Sequence, residues 1–241
     1  MTKSAHEKRP SFFHKIQAIF CVSLPESLES TRVTIGMSGR WLSARTHRRQ
    51  LSSTVSGNGG QTGGQEGSYR GDLVAVQGIG GLGHLGVQFA NKFGYKVAAI
   101  GRGSGNAELA KMLGASVYID GNATNAAEAL QKLGGPKVIL ATAPSSKAMS
   151  ELIDGLGPNG KFIVVGAAFD PIEVTPIQLI TGSKSIQGWT TGTPADAEDT
   201  LHFAELSGVR PMIETYPLEQ AAEAYARMLS GKAEFRVVLT M

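Results

Sequence analysis

The stretch from Asp72 to Gly86, DLVAVQGIGGLGHLG, constrains the fold more than any other part of the chain. Leu73, Val74, Ala75 and Val76 have the length and β-branched content of a buried strand, and they run straight into Gly78-Ile79-Gly80-Gly81-Leu82-Gly83. Helical spacing follows at once, with Leu82, Leu85, Phe89 and Phe93 recurring three and four residues apart beside Gly86 and Ala90. A glycine-rich turn alone is only a turn. A strand before it and a helix after it give GxGxxG the setting of a dinucleotide site. In that setting Gly78 takes the positive φ of a tight turn, Gly80 has no Cβ to hold a pyrophosphate away, and Gly83 lets helix and strand approach closely. The phosphates then meet the unpaired amides at the positive end of the helix dipole.

The alternation continues down the chain. Lys96 to Ile100 reads as a second strand, followed by a helix capped by Asn106 that carries Leu109, Met112 and Leu113 and stops at Gly114. Val117 to Ile119 is a short third strand, Ala126 to Leu133 a helix, and Lys137 to Ala141 a fourth strand. Ser145 caps a helix with Met149, Leu152, Ile153 and Leu156 on one stripe, and Pro158-Asn159-Gly160 turns into a fifth strand, Lys161 to Val165. Ser185 to Trp189, after a proline-bearing loop, is the sixth. Helices between successive buried strands predict an α/β fold, a doubly wound parallel sheet of the Rossmann type. The ligand cleft is expected at the strand C-termini, near the first and fourth strands.

The end of the second strand bears on cofactor choice. A unit that binds NAD usually places Asp or Glu there, about 20 residues past the glycine turn, to hold the ribose 2′-hydroxyl. Here the chain reads Ile100-Gly101-Arg102-Gly103-Ser104. No carboxylate repels a 2′-phosphate, Arg102 offers a forked cation and Ser104 a hydroxyl donor, which favours NADP over NAD. A solvated loop arginine is the plainer reading of Arg102.

Charge divides the chain near residue 70. Residues 1–70 hold 10 Lys and Arg against 4 Asp and Glu, whereas residues 71–241 hold 13 against 16. The first part reads as a disordered, low-complexity leader. Phe12, Phe13, Ile16, Ile19 and Phe20 allow one short amphipathic helix, and Gly57 to Gly67, GNGGQTGGQEG, is a flexible linker by composition. The basic stretch Arg40 to Arg49 also resembles a mitochondrial transit peptide, although Glu7, Glu26 and Glu29 fit that poorly. A nucleic-acid patch at Arg45, Arg48 and Arg49 lacks aromatic interleaving and a binding fold. The single cysteine, Cys21, excludes an internal disulfide. No apolar run approaches the roughly 18 residues of a membrane-spanning helix. The expected location is cytoplasmic, with a mitochondrial alternative through residues 1–50.

From about Gly71 to Met241 the chain resembles the C-terminal, coenzyme-binding part of a zinc-dependent alcohol dehydrogenase of the medium-chain dehydrogenase/reductase superfamily, fungal and bacterial branch. The stretches that carry the resemblance are the GGLGHLG turn, LAKMLGA, ILATAP, GPNGKFIVVGA and the closing EFRVVL. It implies a coenzyme-binding domain over residues 71–241; Leu218, Ala221, Ala222, Tyr225, Met228 and Leu229 form a helical stripe and Phe235 to Leu239 a final strand, a C-terminal helix-strand extension. It implies that Ala141 and Thr142 line the ribose and nicotinamide side, that the backbone of Val165, Gly166 and Ala167 meets the carboxamide, and that Arg236 neutralises the pyrophosphate. With Gly78, Gly80, Gly81, Leu82, Gly83, Arg102 and Ser104 these make up the expected cofactor-binding set. A plain edge-strand charge is the other reading of Arg236.

The resembled enzymes take their zinc ligands, two cysteines and a histidine, from an N-terminal domain that this chain is expected to lack. Zinc is expected for the family, yet Cys21 lies in the irregular leader and His6-Glu7 lacks the glycine of the family's GHE motif. No metal ligand and no catalytic residue is assigned. The Tyr-x-x-x-Lys pair of short-chain dehydrogenases occurs nowhere. His84 is expected to pack near the phosphates, and His202 to sit on a short helix as a surface or partly buried group. Two functions remain open: an alcohol dehydrogenase-like oxidoreductase acting on a small alcohol or aldehyde with NADP(H) or NAD(H), or a truncated, inactive dinucleotide-binding module. The resemblance also implies a homodimer through the sixth strand, and neither nucleic acid nor membrane is an expected partner.

Overall fold

The computed structural model describes residues 71–241. The amphipathic helix, linker and basic patch read in residues 1–70, and Cys21, lie outside the described residues. Six parallel strands form one sheet: β1 (Leu73–Gln77), β2 (Lys96–Gly101), β3 (Val117–Asp120), β4 (Val138–Ala141), β5 (Lys161–Val164) and β6 (Ser185–Gly188). Their order is β3-β2-β1-β4-β5-β6. Helices α1 (Gly83–Lys92), α2 (Ala107–Met112), α3 (Ala126–Lys132) and α4 (Ser146–Leu152) connect successive strands through β5.

The central strands β1 and β4 are buried along their whole length, and β2 over its middle, because helices cover both faces there. Val74 and Val76 of β1 pack in one core with Leu85 and Phe89 of α1. Leu73 and Ala75 face the opposite core, with Leu130 of α3 and Met149 and Leu152 of α4. Phe89 and Phe162, one on each side, are fully buried, and each contributes about 2–3 kcal/mol through burial. The doubly wound expectation is borne out.

Several local expectations need correction. Asn106 stands at the start of α2, but its side chain makes no capping bond, and Met112 is 78% exposed instead of packing inward. The proline-bearing loop contains α5 (Pro176–Ile180). His202 is an exposed residue of α6 (Pro194–Ser207), which is long: Thr193 and Asp196 cap each other's backbone amides and Pro194 opens the first turn. The C-terminal part is strand-helix-strand, because β7 (Ile213–Pro217) precedes a single 3₁₀ turn and α7 (Ala221–Leu229), and pairs in parallel with β8 (Arg236–Thr240). Arg227 of α7 grips Glu214 of β7 with two bonds of 2.9 Å. That grip, helped by the Glu234 amide, holds the Glu214 carboxyl at about 2. Leu218, Tyr225, Met228 and Leu229, the stripe read from the sequence, are exposed among the described residues.

Candidate functional site

The connection leaving β1 goes to β2 on one side, while β4 lies against β1 on the other and leads to β5. A crevice opens where the direction of winding changes. Its floor is the glycine turn. Gly78 has φ +91° and donates its amide to the Ile100 carbonyl at 2.8 Å, so the chain folds back over the end of β2. A Cβ on Gly83 would collide with the Gly78 carbonyl, which is why the helix begins so close to the strand it has just left. Thr142, following β4, donates its hydroxyl to the carbonyls of Gln77 at 2.9 Å and Gly78 at 3.1 Å. The turn is therefore held from both neighbouring strands. Leu82, at the N-cap of α1, supplies no side-chain cap, and the first turn contains no acid. The positive end of the dipole faces the crevice without a side-chain counter-charge.

A second layer comes from the C-terminal segment. Arg236 Nε donates to the Gly81 carbonyl at 3.0 Å, which brings its guanidinium to the glycine turn from 155 residues away. Burial pushes its pKa below the ordinary value, yet a guanidinium keeps its charge at neutral pH. His84 Nδ1 lies 2.9 Å from the Gly80 carbonyl and Nε2 lies 3.1 Å from the Met212 amide nitrogen. A carbonyl only accepts and an amide only donates, so the ring is neutral with its proton on Nδ1. Burial lowers its pKa from 6.5; the Gly80 bond opposes this and the Arg236 charge adds to it. The ring stacks on Phe235 with centroids 4.9 Å apart. His84 packs beneath the glycine turn, with both nitrogens engaged.

The far end of the crevice is built from β2 and β3. Arg102 is exposed and lines it, and its side chain has no hydrogen-bond or ion-pair partner among the described residues. The next residue is tightly held: the Gly103 amide donates to Asp120 Oδ1 at 2.7 Å, and its carbonyl accepts from the Tyr118 hydroxyl at 2.7 Å. Asp120 Oδ1 also accepts the Asn122 amide at 2.9 Å.

The whole crevice measures about 1940 Å³, larger than the 300–1,000 Å³ usual for drug-sized ligands. Of the expected residues, Gly78, Gly80, Gly81, Leu82, Arg102 and Thr142 line it. Gly83 and Ala141 are buried just behind that surface. Ser104 is exposed and is not among the lining residues; its carbonyl accepts the Ala107 amide at the start of α2. Val165, Gly166 and Ala167 follow β5 outside the lining, with the amides of Val165 and Gly166 donating to the Ala141 carbonyl at 3.0 and 2.9 Å. Gln77, whose Oε1 accepts the Ala143 amide at 3.3 Å, belongs to the site and carries no motif signal. The roles of Tyr118 and Asp120 were equally silent in the sequence. Among the described residues, no three His, Cys, Asp or Glu side chains are grouped so as to hold a metal ion.

Residues 81–206 match the family described as zinc-binding dehydrogenase. The chain belongs to that family. An alcohol dehydrogenase, patD, of Penicillium expansum is 46% identical over 171 residues, covering 71% of this chain and 50% of the relative. The alcohol dehydrogenase notN of an Aspergillus species is 43% identical over the same length and coverage. Among solved structures, a cinnamyl alcohol dehydrogenase of Sorghum bicolor superposes with a TM-score of 0.62 at 31% identity, covering 70% of this chain and 48% of that one. The alcohol dehydrogenase of Aeropyrum pernix gives 0.65 at 25% identity, covering 72% and 51%. This zinc-binding dehydrogenase chain spans about half the length of the curated relatives it matches. The resemblance read from residues 71–241 is thereby borne out, and the chain is an alcohol dehydrogenase-like oxidoreductase by family.

Proposed function

We propose that residues 71–241 bind a nicotinamide dinucleotide, NADP(H) in preference to NAD(H), for hydride exchange between a small alcohol and its aldehyde or ketone. The observation that carries this reading is the uncapped, acid-free start of α1 facing a crevice at the winding switch, with Arg236 beside the turn and Arg102 at the far end. The bound nicotinamide supplies the hydride acceptor or donor. The chain's own residues bind and orient. Backbone amides at the start of α1 and the Arg236 charge receive the pyrophosphate, with no Cβ at Gly80 to keep it off. Arg102 pairs with a ribose 2′-phosphate through its fork of donors. Thr142 fixes the carbonyls of Gln77 and Gly78, so the turn keeps its shape when the ligand enters. Ala141 and the backbone of Val165, Gly166 and Ala167 stand at the C-terminal ends of β4 and β5, on the side assigned to the nicotinamide; Ser104 is a further donor beside Arg102.

The described residues do not fit a zinc site, since no three His, Cys, Asp or Glu side chains among them are grouped to hold the metal. Their donor set supports a second reading, a dinucleotide-binding module that does not turn over an alcohol by itself. Self-association through the exposed edge strand β6 accompanies either reading. Calorimetric titration of the 241-residue chain with NADPH and NADH, followed by an alcohol oxidation assay with added zinc, tests both. Binding with turnover supports the enzyme, and binding without turnover supports the module. Binding of neither nucleotide overturns both.

A further inference from the structure

The crevice contains a device that its motifs do not record. Gly101, the last residue of β2, occupies the place where a unit selective for the 2′-hydroxyl carries its carboxylate. A Cβ built there would run into the Tyr118 hydroxyl, with the ring carbons Cζ and Cε2 at only 3.0 and 3.2 Å. A side chain at position 101 would therefore have to displace the Tyr118 hydroxyl, which its bond to the Gly103 carbonyl holds in place. The same hydroxyl donates to the Gly103 carbonyl at 2.7 Å, while Asp120 receives the Gly103 amide at 2.7 Å. The two bonds hold both polar groups of one residue, the one that follows Arg102. Burial, and then the Asp120 charge, raise the Tyr118 pKa, so the phenol keeps the proton it donates.

We propose that Tyr118 and Asp120 are positioning residues for cofactor choice, fixing the Arg102–Gly103 backbone so that Arg102 faces a 2′-phosphate, while the Tyr118 hydroxyl excludes a competing carboxylate from position 101. The inference rests on the phosphate-selecting reading above and deepens it. Neither side chain touches the nucleotide. Tyr118 acts through Gly103, and Asp120 shares its oxygen between Gly103 and Asn122, which keeps the turn after β3 in register with the loop after β2.

The test is calorimetric titration of the full chain and its variants with NADPH and NADH, with thermal melting alongside. Tyr118→Phe keeps the ring and removes the donor. Its Kd for NADPH is expected to rise about five- to tenfold, with the Kd for NADH staying within twofold. A residue that merely supports the fold would weaken both nucleotides together, and that result overturns the proposal, as does an unchanged ratio. The double variant Gly101→Asp with Tyr118→Ala frees the space and fills it with a carboxylate, so the preference is expected to turn toward NADH. A double variant that melts like the wild type and still prefers NADPH overturns the exclusion role. If the wild type itself binds NADH as tightly as NADPH, the phosphate reading fails and the inference falls with it. A wild-type preference that survives Tyr118→Phe sinks the inference alone.

Discussion

The Met212 amide donates to His84 Nε2 at 3.1 Å, tying the first turn of α1 to the segment entering β7 across 128 residues of chain. Nδ1 of the same ring holds the Gly80 carbonyl, so one neutral imidazole joins the glycine turn to the C-terminal strand pair. Protonating it would turn Nε2 into a donor facing a donor. The native pKa lies below the ordinary 6.5, chiefly through burial. Above about pH 6.5 folded and unfolded chains both carry a neutral ring, and the contribution is complete. As the pH falls below that value the unfolded chain takes up a proton the native chain refuses, so stability declines until the native pKa is reached. Melting temperature is expected to fall as the pH drops below about 6.5, and that slope to disappear in His84→Asn. Glu214, held at about 2, loses its partnership only at lower pH and leaves this window clean. Equal slopes for the two proteins would assign the pH dependence to other groups.

Gly83→Ala places a methyl group against the Gly78 carbonyl, a rigid backbone atom that cannot swing aside. Either α1 moves away from β1 or Gly78 gives up its bond to Ile100. Both changes disturb the turn proposed to receive the pyrophosphate. A loss of about 2–4 kcal/mol in denaturant unfolding is expected, with no measurable binding of either nucleotide. Gly80→Ala is the control, because nothing lies within 4 Å of a Cβ there. That variant should fold normally and lose affinity only.

The parts of this architecture that depend on nearby residues were legible. Leu73 to Val76 runs into its glycines within a few residues, and the central strands β1, β2 and β4 announce themselves because burial on two faces demands an apolar run. The strand β7 was not legible: Ile213, Glu214, Thr215 and Tyr216 are only half-buried or exposed, and their partner β8 lies some 20 residues on. The start of α6 is written in the sequence, since Thr193-Pro194-Ala195-Asp196 is a capping box with proline at its first position. No local pattern places the Tyr118 hydroxyl against position 101, because that contact exists only once β2 and β3 pair. The same holds for His84, whose GLGH setting indicates a place near the phosphates and nothing about Met212.

Arg102→Ala tests the cofactor preference at its most exposed point. The side chain has no partner among the described residues, so its removal should leave the melting temperature unchanged. Loss of a charge-assisted contact to phosphate corresponds to about a tenfold or greater rise in the Kd for NADPH. The Kd for NADH should hold, because its ribose carries no phosphate. If the preference for NADPH persists in Arg102→Ala, that arginine is an ordinary solvated loop residue.

Arg236 should behave in the opposite way, because the pyrophosphate is common to both nucleotides. Its Nε bond to the Gly81 carbonyl fixes the guanidinium against the turn, and burial strengthens what its charge does there. Arg236→Gln is expected to raise the Kd for NADPH and NADH by the same factor, about tenfold or more, and to flatten the salt dependence of both. Arg236→Lys keeps the charge and loses the Nε geometry, so it should recover part of the affinity. Melting curves separate this from a folding defect, since the bond to Gly81 also joins β8 to the glycine turn. A variant that binds both nucleotides as the wild type does would reduce Arg236 to a strut between the strand pair and the glycine turn.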